Sequence, residues 1–576
     1  MILSVFQRCL TALTFLLCAA GSIAQLPNRF EVVIDELLPD PTPPVQLPNA
    51  EFIELRNVSS TAFNLRNWKL SDGSTTATIS SSFILKPDSF VIICPTSAVT
   101  SFAPYGATIG VSNFPSLNND ADVIALYATD GRLVHAVGYN TSWYQNAVKS
   151  DGGWSLEMID SRNPCAGINN WKASTSIQGG TPGKKNAVDD NNKDDQPPAL
   201  ARTTTIDSLT ISAMFEEPID SASAASPGNY TINNGIAHPA SASVIMPLCT
   251  EVVLKLPAPL NNQLVYELTV NNVKDCAGNA INQLNTAKTG LPVIADSMAV
   301  VINEILFNPP PDGFDYVEIY NRSNRVIDLK QLYLATRNGT HQLTGISPVC
   351  ATSWLLFPGE YRVLTENKLW LQQQYLIKDP SLIIEVPDLP SMPDDKGTVV
   401  LVNMQGAIVD ELQYDHSWHF GLINDEEGIA LERINYNQPT QDKSNWSSAA
   451  STVGFGTPGY PNSQLMGDAQ VQGQVAISPA VFSPDNDGFN DFALIEYQLA
   501  EPGFVANIRI FDTNGRIVRH LAQNATLTTK GRFRWDGLDD RLNKLPMGTY
   551  IILTELFNGQ GRKKKFKQTV TLARRP

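Results

Sequence analysis

Short runs in which every second residue is apolar recur along the chain, and this two-residue period predicts β-strands. Residues 52–55 and 122–127 show it clearly, with one apolar and one mixed face. Turn-forming pairs such as Asp72-Gly73 and Asn338-Gly339 separate the runs. The pattern predicts an all-β chain of tandem Ig-like β-sandwich domains.

The sequence contains an internal repeat, in which four short motifs return in the same order. They are Val-Val-Ile-Asp-Glu-Leu (32–37) with Val-Val-Ile-Asn-Glu-Ile (300–305), Glu-Phe-Ile-Glu-Leu-Arg-Asn (51–57) with Asp-Tyr-Val-Glu-Ile-Tyr-Asn (315–321), Asn-Trp (170–171, 445–446) and Gly-Thr-Pro-Gly (180–183, 456–459). Such self-similarity predicts two homologous domains, which we place at 25–187 and 298–463.

The remaining chain divides by composition. The run Asp-Asp-Asn-Asn-Lys-Asp-Asp at 189–195 is too polar to be buried and predicts a linker over 188–199. Alternating segments beyond it predict a third sandwich over 200–292, and a fourth domain over 468–576.

Charge and targeting signals restrict the function. The net charge of −15 disfavours a nucleic-acid partner, because binding to phosphates uses Lys and Arg. The one basic run, 562–565, is interpreted as a solvated strand edge. Residues 1–24 resemble a signal peptide cut between Ala24 and Gln25, and no later stretch has the 18 apolar residues of a membrane helix. These features predict a protein that is secreted or lies on the cell surface, outside the outer membrane, without a transmembrane segment.

Five cysteines follow the predicted signal peptide, namely Cys94, Cys165, Cys249, Cys276 and Cys350. In an oxidising compartment, and without a Cys-x-x-Cys spacing, they favour disulfides over metal ligands. Cys249 and Cys276 lie within one predicted domain, so we expect them to form a pair. Cys94 with Cys165 is a second candidate pair, which would leave Cys350 without a partner; the pairing of these three stays open.

The repeated units resemble the lamin tail domain, through Val-Ile-Asn-Glu-Ile at 301–305, the acidic-aromatic strand at 315–321, and the closing Asn-Trp and Gly-Thr-Pro-Gly elements. The resemblance implies an Ig-like accessory module of secreted bacterial proteins, without catalytic residues of its own. The first copy departs from it in carrying Asp35 where Asn is usual.

Two further resemblances concern the other domains. Residues 200–290 are similar to bacterial Ig-like domains, through Phe-Glu-Glu-Pro-Ile-Asp at 215–220 and Asp-Cys-Ala-Gly-Asn at 275–279. The C-terminal domain resembles the Ig-like modules of gliding-associated and hook-capping proteins, through Ser-Pro-Asp-Asn-Asp-Gly at 483–488 and Trp-Asp-Gly at 535–537. This second resemblance implies export by outer-membrane secretion machinery, although the final Thr-Leu-Ala-Arg-Arg-Pro lacks the expected Lys-containing tail.

One segment predicts a metal site. Asp485, Asp487, Asn490 and Asp491 place oxygen-bearing side chains around Gly488, as calcium loops do. The segment lacks a bidentate Glu, so an Asx-rich turn held by its own side chains is the alternative. Calcium is the one cofactor that the sequence suggests.

Carboxylates at equivalent places in both copies raise the question of catalysis. They are Glu36 with Glu304, Glu54 with Glu318, and Glu157 with Glu432. Paired carboxylates cleave glycosides, but a Glu that accepts hydrogen bonds from a turn is the ordinary explanation. Trp171 and Trp446 follow an Asn in both copies and are expected in the core.

No G-x-S-x-G, P-loop or H-E-x-x-H motif is present. We therefore predict a non-catalytic surface protein, not an enzyme, with a role in binding, adhesion or structure and an unknown surface protein or polysaccharide as partner. A carbohydrate-binding accessory protein and a cryptic hydrolase are the alternatives.

Overall fold

A computed structural model describes residues 26–423, 425–466, 473–559 and 562–574. The predicted signal peptide, with Ala24 and Gln25, lies outside the described residues. Strands dominate, and the α-helices are short: α1 (Val99–Phe102), α2 (Ser221–Ala224) and α3 (Lys368–Gln374). Within the described ranges, no helix has both the length and the apolar character needed to cross a membrane. The predicted all-β architecture is confirmed.

From residue 26 onward, the first repeated domain forms twelve strands and four 3₁₀ turns. The strands are β1 (Val32–Leu38), β2 (Phe52–Asn57), β3 (Phe63–Asn64), β4 (Lys69–Ser71), β5 (Thr76–Thr78), β6 (Ile84–Leu85), β7 (Phe90–Pro95), β8 (Thr108–Val111), β9 (Ala121–Tyr127), β10 (Leu133–Asn140), β11 (Leu156–Met158) and β12 (Trp171–Ala173). The 3₁₀ turns are Thr96–Ala98, Thr141–Tyr144, Lys149–Asp151 and Gly167–Asn170.

A smaller sandwich follows. Its strands are β13 (Leu200–Asp207), β14 (Thr210–Phe215), β15 (Tyr230–Ile232), β16 (Ser241–Val244), β17 (Glu251–Lys255), β18 (Tyr266–Val270) and β19 (Thr286–Thr289), with a 3₁₀ turn at Pro227–Asn229. The sheets have the orders β13-β14-β17-β16 and β15-β18-β19.

The described residues of the second repeated domain again form twelve strands. They are β20 (Val300–Leu306), β21 (Tyr316–Asn321), β22 (Ile327–Asp328), β23 (Leu332–Arg337), β24 (Leu343–Pro348), β25 (Leu355–Leu356), β26 (Tyr361–Thr365), β27 (Ile383–Glu385), β28 (Lys396–Asn403), β29 (Ile408–Asp415), β30 (Leu431–Arg433) and β31 (Trp446–Ser448). Its 3₁₀ turns are Leu329–Gln331, Pro380–Leu382, His416–Trp418, Lys443–Asn445 and Ser451–Val453.

The C-terminal domain forms a further sandwich. Its strands are β32 (Gln474–Ser478), β33 (Val481–Phe482), β34 (Ala493–Gln498), β35 (Phe504–Phe511), β36 (Ile517–Thr526), β37 (Lys530–Trp535), β38 (Gly548–Asn558) and β39 (Lys563–Leu572). They form sheets of order β32-β34-β37 and β33-β39-β38-β35-β36. The basic run enters β39, where Lys563, Lys564 and Lys565 are exposed.

The two repeated domains share one topology. The six-stranded sheet runs β12-β11-β1-β2-β7-β8 in the first copy and β31-β30-β20-β21-β26-β27 in the second, and the four-stranded sheets correspond in the same way. Trp171 and Trp446 lie in the two cores, 1% and 4% exposed, as the sequence predicts. The repeat seen in the sequence is therefore a repeat of the whole sandwich.

Strand β1, like β20, is buried at all seven positions. One face of the strand contributes Ile34 and Leu37 to the apolar core. Its other face carries Glu36, which is also fully buried. A second layer of chain must therefore cover this side of the sheet, since a buried carboxyl needs hydrogen-bond partners.

The described residues divide into two compact units, residues up to 259 with 266–288, and 260–265 with 289 onward. Within the first unit, segment 188–199 is anchored. The Asp190 amide donates to the Ile159 carbonyl at 3.0 Å, and Val188 is buried. Polar composition predicts a linker here, but hydrogen bonds to the first copy hold it in place.

The predicted Cys249–Cys276 disulfide is wrong. Cys276 is bonded to Cys165 of the first copy, with 6.2 Å between the Cα atoms, and Cys94, Cys249 and Cys350 are free. The loop carrying Cys276 meets the neighbouring domain of the same unit, a contact that sequence spacing does not reveal. A link closing a loop of this size contributes about 4–5 kcal/mol in the loop-entropy model.

Candidate functional site

The three glutamates common to both copies meet on the outer face of each six-stranded sheet. In the first copy, Glu36 on β1 stands opposite Glu54 on β2 and Glu157 on β11. The second copy places its counterparts identically, Glu304 opposite Glu318 and Glu432. All six are 0% exposed. The pairing of short central strands therefore concentrates three carboxyl groups beneath the surface of each domain.

The Gly-Thr-Pro-Gly segment covers this cluster and binds it. In the second copy, the Thr457 amide donates to Glu304 Oε1 at 2.8 Å and the Gly459 amide donates to Glu318 Oε2 at 2.6 Å. Thr457 Oγ1 lies 2.8 Å from Glu432 Oε1. Two motifs that are about 140–150 residues apart in sequence thus form one structure.

The first copy repeats these contacts. The Thr181 amide donates to Glu36 Oε1 at 2.7 Å, and Thr181 Oγ1 donates to Glu157 Oε1 at 2.7 Å. The Gly183 amide donates to Glu54 Oε2. A Cβ atom on Gly180 would lie 2.7 Å from Glu36 Oε1, so glycine is needed where the loop approaches the carboxyl.

Part of each cluster is neutral. Thr457 Oγ1 has one hydrogen, yet it lies 2.9 Å from Glu304 Oε2 and 2.8 Å from Glu432 Oε1. Both contacts are favourable only if one carboxyl is protonated and donates to the hydroxyl. Burial, reinforced by Glu432, raises the pKa of Glu304 to about 8. Burial, reinforced by Glu157, likewise raises the pKa of Glu36 to about 8.

This arrangement uses the carboxyl groups for structure. Glycoside cleavage requires two carboxyls that flank a bound sugar and, in inverting enzymes, a water. Here the carboxyls are occupied by backbone amides and a threonine hydroxyl, and the loop separates them from solvent. The geometry favours the interpretation that the glutamates accept hydrogen bonds from a turn.

The predicted calcium loop brings its acidic residues together. Carboxylate oxygens of Asp485, Asp487 and Asp491 lie within 4.8 Å of one another. Asp491 already accepts hydrogen bonds from the amides of Asn486 and Gly488, at 2.7 and 2.9 Å. Asn490 has a positive φ of 53° and its carbonyl accepts from the Ser483 amide. The segment therefore forms a self-bonded turn whose oxygens also converge.

A second group of carboxylates was missed by sequence reasoning. Asp194, Glu217 and Asp275 have oxygens within 4.8 Å of one another. Burial, reinforced by Asp194 and Asp275, raises the pKa of Glu217 to about 8. The residues are far apart in sequence and share no spacing pattern, so no sequence signal marks the group.

Aromatic side chains form a cluster on the second copy that the sequence also did not reveal. We call Tyr320, Tyr361 and Tyr436, all partly exposed, the tyrosine patch. The rings of Tyr320 and Tyr436 are stacked with centroids 3.9 Å apart, and the hydroxyls of Tyr361 and Tyr436 are 2.7 Å apart. In the first copy Arg56 occupies the place of Tyr320 and lies over Phe90.

Fold and site together define a chain of Ig-like β-sandwich domains in which two copies are closed by a loop over buried glutamates. Residues 27–141 and 295–416 match the family model of the Lamin Tail Domain. Residues 476–572 match that of the CHU_C Type IX secretion signal domain. The chain thus carries two lamin tail domains and a C-terminal secretion signal domain, as the resemblances predicted.

These matches also bear on location and chemistry. A type IX secretion signal domain indicates a secreted or cell-surface protein, which confirms the predicted localisation. The matched domains are of non-catalytic types. No curated protein matches the sequence.

Three of the similar solved structures are distant from this chain in sequence. The N-terminal part of the bacterial S-layer protein SbsC is 18% identical, with 29% of this chain and 40% of that chain covered and a TM-score of 0.16. SbsC residues 31–844 are 12% identical, with 66% and 54% covered and a TM-score of 0.16. PorZ of Porphyromonas gingivalis, a surface component of the type IX secretion system, is 11% identical, with 91% and 69% covered and a TM-score of 0.16.

The Thr457 contacts predict the effect of two substitutions. Glu304→Gln should preserve the fold, since its oxygen can accept from the Thr457 amide and its NH₂ can donate to Thr457 Oγ1. Because the pKa of Glu304 is raised in the folded chain, the stabilisation from its proton is complete below about pH 4.5 and is lost as the pH rises through about 8. Gln does not ionise, so the free energy of unfolding of the variant should fall less over this pH range.

Thr457→Val should instead lower the free energy of unfolding by about 1–3 kcal/mol, because Glu304 Oε2 and Glu432 Oε1 lose the hydroxyl that they contact. Denaturant unfolding of the full chain between pH 5 and 8.5 measures both effects. A Glu304→Gln variant with an unchanged pH slope would contradict the proton assignment.

Calcium binding at the Asp485 loop predicts stabilisation by millimolar calcium. An affinity of the order of 0.1–1 mM suits extracellular modules, and a ligand of the folded state must raise the Tm of the full chain. The increase should disappear in Asp487→Ala and persist in Glu217→Gln. The opposite pattern would place calcium at the group of Asp194, Glu217 and Asp275. No increase in Tm would show that the Asp485–Asp491 segment is a turn without a calcium ion.

Proposed function

We propose that this protein is a non-catalytic structural or binding component of the cell surface, delivered there through its C-terminal domain. The observation that carries the proposal is the use of the shared acidic residues. Each common glutamate is buried and holds the Gly-Thr-Pro-Gly loop, so the acidic groups that first suggest an enzyme act in domain closure.

Connections between neighbouring domains support a scaffold role. In the second unit, the Ser451 amide donates to Thr526 Oγ1 at 2.6 Å and Thr529 Oγ1 donates to the Leu465 carbonyl at 2.8 Å. In the first unit, the Cys165–Cys276 disulfide joins the first copy to the smaller sandwich. Contacts of this kind fix a domain relative to its neighbour in the same unit, as a structural component requires.

Removal of the C-terminal domain tests the delivery step. In cells with a type IX secretion system, the full chain should reach the surface or the medium, and a chain lacking 468–576 should stay inside the outer membrane. Cell fractionation and protease accessibility measure this. Thr526→Val with Thr529→Val, which weakens the domain contact alone, is the matched control and should still be exported. Export of the truncated chain would contradict the proposal.

A carbohydrate-binding role is the second candidate, and the tyrosine patch favours it. Partly exposed, stacked rings offer apolar faces to sugars, and the paired hydroxyls of Tyr361 and Tyr436 add polar contacts. The patch occurs in one copy only, which is what a binding site added to a common scaffold would show.

Binding of the full chain to surface polysaccharides, measured by affinity electrophoresis, tests this candidate. Tyr320→Ala should weaken binding about tenfold, since a stacked aromatic anchor carries much of the energy of such a surface. Phe90→Ala, on the equivalent surface of the first copy, is the control and should leave binding unchanged. Equal effects of both variants would argue against the patch.

A further inference from the structure

One position in the first strand of each lamin tail domain has the same backbone surroundings in both copies but a different side chain. Asp35 in the first copy and Asn303 in the second each lie at a β-bulge, where the pairing register with the next strand shifts. Asn186 Nδ2 donates to the main-chain oxygen of Asp35 at 2.9 Å, and Asn462 Nδ2 donates to that of Asn303 at 2.9 Å. The surrounding positions therefore correspond.

In the second copy the amide of Asn303 completes the hydrogen bonding. Its Nδ2 donates one hydrogen to Glu318 Oε1 and the other to Asn462 Oδ1, both at 2.7 Å. Glu318 Oε2 accepts from the Gly459 amide of the covering loop. Two hydrogens meet two acceptors, and the buried site is satisfied.

In the first copy the equivalent site contains hydrogen-bond acceptors that no donor reaches. Both carboxyl oxygens of Asp35, Oε1 of Glu54 and Oδ1 of Asn186 are buried and have no hydrogen-bond partner. Asp35 and Glu54 are 0% exposed and Asn186 is 5% exposed, so bulk solvent does not reach these acceptors. Ionised carboxyls that face other acceptors in such a place would be strongly unfavourable.

We propose that the folded first copy binds two protons at this site, one on Asp35 and one on Glu54, in place of the two amide hydrogens of Asn303. The Asp35 hydroxyl then donates to Asn186 Oδ1, and the Glu54 hydroxyl donates to the remaining oxygen of Asp35. Every acceptor regains a hydrogen, and the site becomes neutral.

The charges around the site agree with protons as the bound species. Burial raises the pKa of Asp35 to about 7, against the opposing effect of Arg56 and with support from Asp189 and Glu157. Burial, followed by the charge of Glu36, raises the pKa of Glu54 well above its usual value. The Arg56 guanidinium on β2, which lowers the pKa of Asp35 against this effect, is itself paired with Asp189 at 3.5 Å.

The two protons make the first copy sensitive to pH. In the unfolded chain both carboxyls ionise near pH 4, so above this pH the folded state holds more protons than the unfolded state. Each extra proton weakens folding by up to tenfold per pH unit until the pH reaches the folded pKa. The contribution of Asp35 is therefore complete below about pH 4 and is lost as pH rises through about 7.

Reciprocal exchange of the two residues tests the proposal in the full chain. In Asp35→Asn, the hydrogen-exchange protection of residues 32–38 should rise about tenfold or more at pH 8 and change less at pH 5. Residues 300–306 of the second copy serve as the control in the same sample and should not change. Asn303→Asp should produce the reverse, a loss of protection at 300–306 that is greater at pH 8 than at pH 5.

Other outcomes would overturn the proposal. A fall in the hydrogen-exchange protection of residues 32–38 at both pH values in Asp35→Asn would show that an ionised Asp35 stabilises the segment. Protection of the wild-type segment that rises with added calcium or sodium chloride, but not in Asp35→Asn, would show a metal ion instead of protons.

Infrared spectroscopy at pH 6 detects the protonated carboxyl groups of the folded chain directly, because carboxyls of an unfolded chain are ionised at this pH. The wild-type chain should show the carbonyl stretch of protonated carboxyl groups, and part of this signal should be missing in Asp35→Asn. An identical carboxylic-acid signal in the two chains would contradict the assignment of a proton to Asp35.

Discussion

The hydrogen bonds between the Gly-Thr-Pro-Gly loop and three buried glutamates are the constraint on which each lamin tail domain depends. They allow a central strand such as β1 to be buried on both faces, although one face is acidic. The loop needs acceptors for its amides, and the carboxyls need donors, so each satisfies the other away from water. The shared glutamates are thus explained without a catalytic role.

The same glutamate clusters also accept hydrogen bonds from the segment that leads out of each domain. Glu432 Oε2 accepts from Ser463 Oγ and the Gln464 amide, and Gln464 Nε2 donates to the Leu527 carbonyl of the C-terminal domain. In the first copy, Glu157 Oε2 accepts from the Val188 amide, where the polar segment toward the next sandwich begins. One carboxyl in each copy therefore connects the interior of the domain to the start of its neighbour.

The two copies share these loop contacts but differ in side chains close to them. Asn303 donates two amide hydrogens where Asp35 carries a carboxyl group, and Tyr320 belongs to a tyrosine patch where Arg56 lies over Phe90. Neither exchange alters the order of strands in the sheets. The scaffold tolerates such changes because the strand pairing and the loop contacts are set by other residues, which leaves these positions available for different properties in each domain.

The sequence by itself determined the features that depend on local periodicity and repetition. Alternating apolar positions marked the strands, the paired motifs marked two homologous domains, and the repeated Asn-Trp element placed Trp171 and Trp446 in the core. These are properties of a strand or of a repeat, and neighbouring residues are sufficient to show them. Only the tertiary structure decided that Cys276 bonds to Cys165, and that Glu304 binds Thr457. Such contacts join residues more than one hundred positions apart, and they arise from the packing of whole sheets and domains, which no local spacing encodes.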